Sequence, residues 1–190
     1  SCCIPLLIVM ASEKFLLSYG QVHNLVKHTA LRVKEEFQPD VIVAIGGGGF
    51  IPARISRTFL GIPMIAVGLE LYDDATNTPK ARPIKTQWFD EESGVGQRVR
   101  GKRVLIVDEV DDTRTTLQYC VEELVKGHEP AQVGVMVLIN KKKEKRGKLS
   151  GEVAYFAGQE IADRWCVFPW DVNDIESHEQ IARERAPQSQ

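Results

Sequence analysis

"VLIVDEVDDTRTT", residues 104–116, is the stretch on which the reading of this chain turns. Its opening run, Val104, Leu105, Ile106 and Val107, is short, apolar and mostly β-branched, as in a strand buried on both faces. Asp108, Glu109, Asp111 and Asp112 then place four carboxylates within five residues, and Thr113, Arg114, Thr115 and Thr116 follow at once. The spacing predicts a strand over 103–107 and a helix over 115–126, closed at Gly127. Residues 133–139 are again wholly apolar, a second buried strand.

Upstream the same alternation appears. Ser18 and Gln21 have capping-box spacing, and a helical stripe follows at Val22, Leu25, Val26, Ala30, Val33 and Phe37. After Pro39 and Asp40 comes "VIVAI" (41–45), then the glycine run Gly46, Gly47, Gly48 and Gly49, a helix over 51–60 closed by Gly61 and Pro63, and a strand over 64–71. Strand, helix, strand, given twice, predicts an α/β fold: an open, mainly parallel sheet with helices on both faces. One or two short strands are expected around Tyr155 and Trp165. Between 72 and 100 the periodicity is lost, with Pro79, Pro83, Gly94 and Gly96 in a polar stretch, so this segment is expected to be a flexible lid loop.

A chain of 190 residues with no internal repeat and no linker reads as one domain, residues 10–190. A formal charge of −2 argues against non-specific binding to nucleic acid or a membrane. Cys2, Cys3, Cys120 and Cys166 lack C-x-x-C spacing and read as reduced thiols of a cytoplasmic protein without a zinc site. The opening "SCCIPLLIV" is too short to span a bilayer and lacks the features of a secretory signal. Met10 is a candidate natural start, which would make residues 1–9 a cloning or gene-prediction remnant.

In open sheets of this kind, ligands bind beyond the carboxyl ends of the strands, where adjacent connections diverge. Three unusual segments begin there: the glycine run, 108–116, and the chain from Asn140. The glycines permit close approach of backbone N–H groups to an anion, or simply a flexible turn. A dinucleotide fingerprint would need glycine where Ile51 stands, and no G-K-[ST] follows. The threonines can cap a helix, or join the unsatisfied N–H groups of its first turn in holding a phosphate. The crowded acids repel one another unless Mg²⁺ or ligand hydroxyls engage them. A sugar phosphate accounts for both halves.

The same stretch resembles the phosphoribosyl-diphosphate signature of type I phosphoribosyltransferases, a hydrophobic strand followed by two acids and D-T-x-x-T. "VAIGGGGFIPARI" from Val43 and "RWCVFPWD" from Arg164 resemble the purine salvage branch, closest to fungal hypoxanthine-guanine enzymes. That likeness implies the type I phosphoribosyltransferase fold with a small hood from the terminal segments. It implies ribose binding by Asp108 and Glu109, directly or through Mg²⁺, and 5′-phosphate binding by Asp112, Thr113, Arg114, Thr115 and Thr116. Asp112 would be the catalytic carboxyl beside purine N7, as proton acceptor or donor. Gly46, Gly47, Gly48 and Gly49 would form the pyrophosphate loop, where the family often has a non-proline cis peptide. Lys141 would contact the 6-oxygen of the purine, Trp165 stack on its ring, and Cys166 contribute backbone contacts. The metal side would comprise Asp108, Glu109 and Asp171.

The implied substrates are phosphoribosyl diphosphate with hypoxanthine, guanine or xanthine, giving IMP or GMP, in a homodimer or homotetramer. A dry site beside other carboxylates is expected to raise Asp112 toward neutrality. Two departures stand out: Arg114 occupies a position where many relatives have Gly, and Glu70 lies near where several place a basic pyrophosphate contact, leaving Arg82 and Lys85 as substitutes. Plainer readings remain beside these, Trp165 as core and "KKKEKRGK" (141–148) as a solvated loop. The rivals are a xanthine-preferring enzyme and a non-enzymatic phosphoribosyl-diphosphate sensor whose basic run binds nucleic acid.

Overall fold

Ser18 caps the first helix as its spacing with Gln21 requires. Its hydroxyl accepts from Gln21 N at 3.1 Å, and Gln21 Oε1 accepts from Ser18 N at 2.7 Å, satisfying two end N–H groups reciprocally. The computed structural model describes residues 14–73, 78–90 and 94–185, the side chains of 72–82 excepted. The expectation for residues 1–9 and the side-chain role of Arg82 fall outside the described residues.

The first half comprises β1 (Lys14–Leu16), α1 (Tyr19–Glu36), β2 (Val41–Gly46), α2 (Phe50–Leu60), β3 (Met64–Asp73) and β4 (Thr78–Gln87). The second comprises β5 (Arg103–Asp111), α3 (Thr115–His128), β6 (Gln132–Lys142), β7 (Ala154–Ala162), β8 (Trp165–Val167) and α4 (Ile175–Glu184). The main sheet runs β4-β3-β2-β5-β6-β7, parallel throughout except for the antiparallel β3–β4 pair.

Side-chain alternation along the central strands divides the core into two. Ile42, Ala44, Leu105, Val107, Met136 and Leu138 pack against Val26 and Val33 of α1 and Ala53 and Leu60 of α2. Val43, Ile45, Ile106, Val135 and Val137 face Leu117, Cys120 and Leu124 of α3 on the other side. Leu105 is wholly buried, and its truncation to alanine would cost about 2–5 kcal/mol. Because β2 leaves toward α2 on one face and β5 toward α3 on the other, a crevice opens between their carboxyl ends.

A second, two-stranded sheet forms the expected hood. β1 pairs in parallel with β8, Lys14 opposite Trp165 and Leu16 opposite Val167. Helix α4, which no sequence pattern above anticipated, braces it: the buried His178 sets Nε2 2.8 Å from Leu17 O.

Several boundaries differ from expectation. β5 continues through the acids, since Asp108, Val110 and Asp111 pair with Val137, Ile139 and Asn140 of β6; the ladder uses backbone N–H and C=O groups, whatever charge the side chains carry. β6 likewise extends to Lys142, placing Lys141 within the strand. Helix α3 passes through Gly127 and ends at Glu129, whose φ is 45°. Among the described residues, the segment 72–100 is less irregular than expected. β4 pairs with β3 (Glu70 opposite Ile84, Leu69 opposite Lys85) and a 3₁₀ turn spans Gly96–Arg98. Pro79 and Pro83 obscured a strand that is tolerated because it lies at the sheet edge. Glu70 sits inside β3, which runs two residues beyond the expected 64–71.

Candidate active site

A cavity of about 540 Å³ opens at the carboxyl ends of β2 and β5. Gly46, Gly47 and Gly48 line one side, residues 108–117 another, and Lys141, Trp165, Cys166 and Asp171 face them. Residues far apart in sequence thus converge on one space. The Gly46–Gly47 peptide is cis, as the resemblance implied. Gly49 lies just outside the lining. A Cβ there would stand 2.5 Å from both Ile45 O and Val107 O, so only glycine lets the loop close onto β5.

The acids are not equivalent. Asp108 is buried, its Oδ1 accepting from Glu109 N at 2.9 Å. Burial first, and then the charge of Glu109, push its carboxyl well above the usual range. Burial and the Glu109 charge likewise raise Asp171. Glu109 Oε2 is buried with no hydrogen-bond partner, and a Cβ on Gly48 would collide with that carboxylate. These three acids form a field that a cation would relieve. Among the described residues no group of three or more such side chains is close enough to enclose a metal by itself. The unpartnered Glu109 oxygen suits Mg²⁺, which usually takes one or two carboxylates together with substrate oxygens and water.

Asp112 departs from expectation. Burial acts to raise its pKa, but hydrogen bonds from Lys141 and Lys143 outweigh it, and the carboxyl is held below its ordinary value. Both ammonium groups stand 3.1 Å from Asp112 Oδ1. Asp163 holds the pair from the other side, 3.0 Å from Lys143 and 4.0 Å from Lys141. Lys143 and Asp163 were not anticipated. Alternation from Lys141 offered the one signal, since residues two apart at a strand end share a face.

Asp111 is not a cavity acid in the same sense. Fully buried, its Oδ2 accepts from Arg114 Nε at 2.9 Å, Arg114 Nη2 at 2.7 Å and the Tyr155 hydroxyl at 2.6 Å. The guanidinium of Arg114 lies over the Tyr155 ring, 4.8 Å from its centre. Arg114 therefore gives its backbone to the loop that lines the cavity while its charge is taken up by Asp111. Its φ of 68° is left-handed, the conformation that glycine adopts most readily. The hydroxyls of Thr113 and Thr115 lie 3.1 Å apart at the entrance to α3.

Trp165 is 71% exposed at the cavity mouth, which removes the reading of it as core. Burial pushes the Cys166 thiol up to about 11, leaving it protonated. Lys85 does not line the cavity; it pairs with Glu123 of α3 and sits 4.6 Å from the Trp88 ring centre. The basic run 141–148 folds inward at Lys141, Lys143 and Lys145, the last donating to Asp111 O and Asp112 O.

A family model described as a phosphoribosyl transferase domain matches residues 18–176. The chain is 41% identical to a hypoxanthine-guanine phosphoribosyltransferase of Schizosaccharomyces pombe, over 90% of this chain and 95% of that protein. It is 40% identical to xanthine phosphoribosyltransferase 1 of Saccharomyces cerevisiae, over 90% and 96% respectively. Among solved structures, a hypothetical protein from Neisseria gonorrhoeae with bound ppGpp superposes with a TM-score of 0.80 at 40% identity, covering 90% of this chain and 97% of that one.

Proposed function

The chain belongs to the phosphoribosyltransferase family, and from that premise we propose that it transfers the 5-phosphoribosyl group of phosphoribosyl diphosphate to N9 of hypoxanthine or guanine, forming IMP or GMP and pyrophosphate. The observation that carries this reading is the single cavity, in which a threonine-lined helix start, a carboxylate pair, a buried lysine and an exposed tryptophan face one another.

The 5′-phosphate rests on the N-terminus of α3, held by the first-turn N–H groups and by Thr113, Thr115 and Thr116. Asp108 and Glu109 take the ribose hydroxyls, and Gly46 to Gly49 turn backbone toward the pyrophosphate. Mg²⁺ would be held by one or two of Asp108, Glu109 and Asp171 together with substrate oxygens, and would supply charge stabilisation for the departing pyrophosphate. Trp165 stacks on the purine and Lys141 donates to its 6-oxygen. When Lys141 turns to that oxygen, Asp112 loses one of the two cations that lower its pKa, and its affinity for the N7 proton rises. The ring thereby gains the electron density at N9 needed to attack the anomeric carbon. The β3–β4 hairpin serves as the lid that keeps water from the activated ribose. We place the enzyme in the cytoplasm, as a homodimer or homotetramer.

Adenine does not suit Lys141, because its exocyclic amine is a donor where the ammonium needs an acceptor. Xanthine does carry the 6-oxygen, and the similarity to a xanthine enzyme keeps a xanthine preference as the second reading. The test is a spectrophotometric assay of hypoxanthine, guanine, xanthine and adenine with phosphoribosyl diphosphate and Mg²⁺. Turnover of hypoxanthine and guanine is expected, and xanthine turned over fastest would establish the second reading. No turnover of any base would overturn both in favour of a sensor.

A further inference from the structure

The phosphate loop is held from behind by a segment that the proposed reaction leaves unused. Lys145 Nζ donates to Asp111 O at 2.6 Å and to Asp112 O at 2.9 Å. The backbone N–H groups of Arg146 and Gly147 both donate to Thr113 O at 3.0 Å. Three consecutive carbonyls are thus captured by three consecutive residues more than thirty positions later. Gly147 is required for this approach, since a Cβ on it would collide with the carbonyl of Arg114.

In a planar trans peptide the C=O and N–H point in opposite directions. The captured carbonyls belong to the peptides whose N–H groups are those of Asp112, Thr113 and Arg114. Drawing the oxygens back toward Lys145, Arg146 and Gly147 turns those N–H groups away from that segment, and Asp112, Thr113 and Arg114 all line the cavity. An ammonium on a carbonyl also polarises its peptide, so the N–H groups of Asp112 and Thr113 become stronger donors. The arrangement is supported by Asp111, whose buried carboxylate ties Arg114 and Tyr155 and has Lys145 Nζ 3.4 Å from Oδ1.

We infer that Lys145 is a positioning residue: it presets the backbone donors of the loop for a phosphate monoester, in a site where it never touches the ligand. The inference rests on the reading of 113–116 as the 5′-phosphate site. It also gives the basic run 141–148 a role inside the fold.

The experiment compares GMP with guanosine by isothermal titration calorimetry, on the full chain and on Lys145→Met. The variant is expected to bind GMP about 10- to 100-fold more weakly, from the loss of two charge-assisted hydrogen bonds that orient the loop. Its guanosine affinity should stay within about threefold, and its KM should rise for phosphoribosyl diphosphate but not for hypoxanthine. Lys145→Arg, which keeps two donors, should recover most of the GMP affinity. Equal losses for GMP and guanosine, or no loss, would overturn the role of Lys145. Should Lys145→Met fail to fold, Lys145→Gln, with a donor for one carbonyl, decides by the same comparison. A wild-type chain that binds GMP no more tightly than guanosine would instead overturn the phosphate-site reading itself.

Discussion

Replacing Lys141 with alanine should separate the two ends of the cavity. The lysine is almost wholly buried, its Nζ 3.1 Å from Asp112 Oδ1 and 4.0 Å from Asp163 Oδ1, so its ammonium has little freedom except to exchange one oxygen acceptor for another. In the proposed complex that acceptor is the purine 6-oxygen. A hydrogen bond from a charged donor is worth about 1.5–3 kcal/mol, and each 1.36 kcal/mol is about tenfold in kcat/KM. The variant should therefore lose about 10- to 150-fold in kcat/KM for hypoxanthine. The phosphate end is built from other residues, Thr113 to Thr116 on the α3 start, so the KM for phosphoribosyl diphosphate should change by less than about threefold. Folding should survive, because Lys143 remains to pair both Asp112 and Asp163. The assay is steady-state kinetics with each substrate varied in turn, beside a thermal melt. Matched losses for both substrates would refute the placement of Lys141 at the base.

Asp112→Asn should keep the fold, since its carboxylate is partly exposed, while turnover falls by about 100- to 10,000-fold; wild-type turnover in a folded variant would exclude it from proton transfer. Lys143→Met bears on pH. Lys141 and Lys143 hold the Asp112 carboxyl below its ordinary pKa against the effect of burial, so removing one cation must raise it, and the acid limb of kcat/KM should move to higher pH. A limb that stays in place, or moves lower, would contradict the ion-pair account. Trp165→Ala should leave the melting temperature nearly unchanged because the ring is 71% exposed, yet weaken nucleotide binding by the roughly 1–3 kcal/mol of a base–aromatic stack. Loss of stability without loss of affinity would return Trp165 to a structural role.

The layered α/β architecture and most of the residues that line the cavity were legible along the chain. The apolar runs at 41–45, 104–107 and 133–139, the Ser18–Gln21 cap and the stripe from Val22 to Phe37 all report the burial of a residue's own side chain, which local pattern encodes. The acid–threonine stretch was legible for a different reason, since four carboxylates within five residues call for cationic or hydroxyl partners. Other features depended on what each segment met in three dimensions. β4 could be recognised as a strand only from its place at the edge beside β3, and the acids as strand residues only from their pairing with β6. The low pKa of Asp112 comes from two lysines on β6 and the loop after it, 29 and 31 positions later, so its charge state could not be read from neighbouring carboxylates. Arg114 was ambiguous until Asp111 and Tyr155 were seen to take its charge. Periodicity records which face a side chain turns inward; it carries no record of which distant carbonyl or carboxylate a lysine will reach, because that partner is chosen by the packing of the whole sheet.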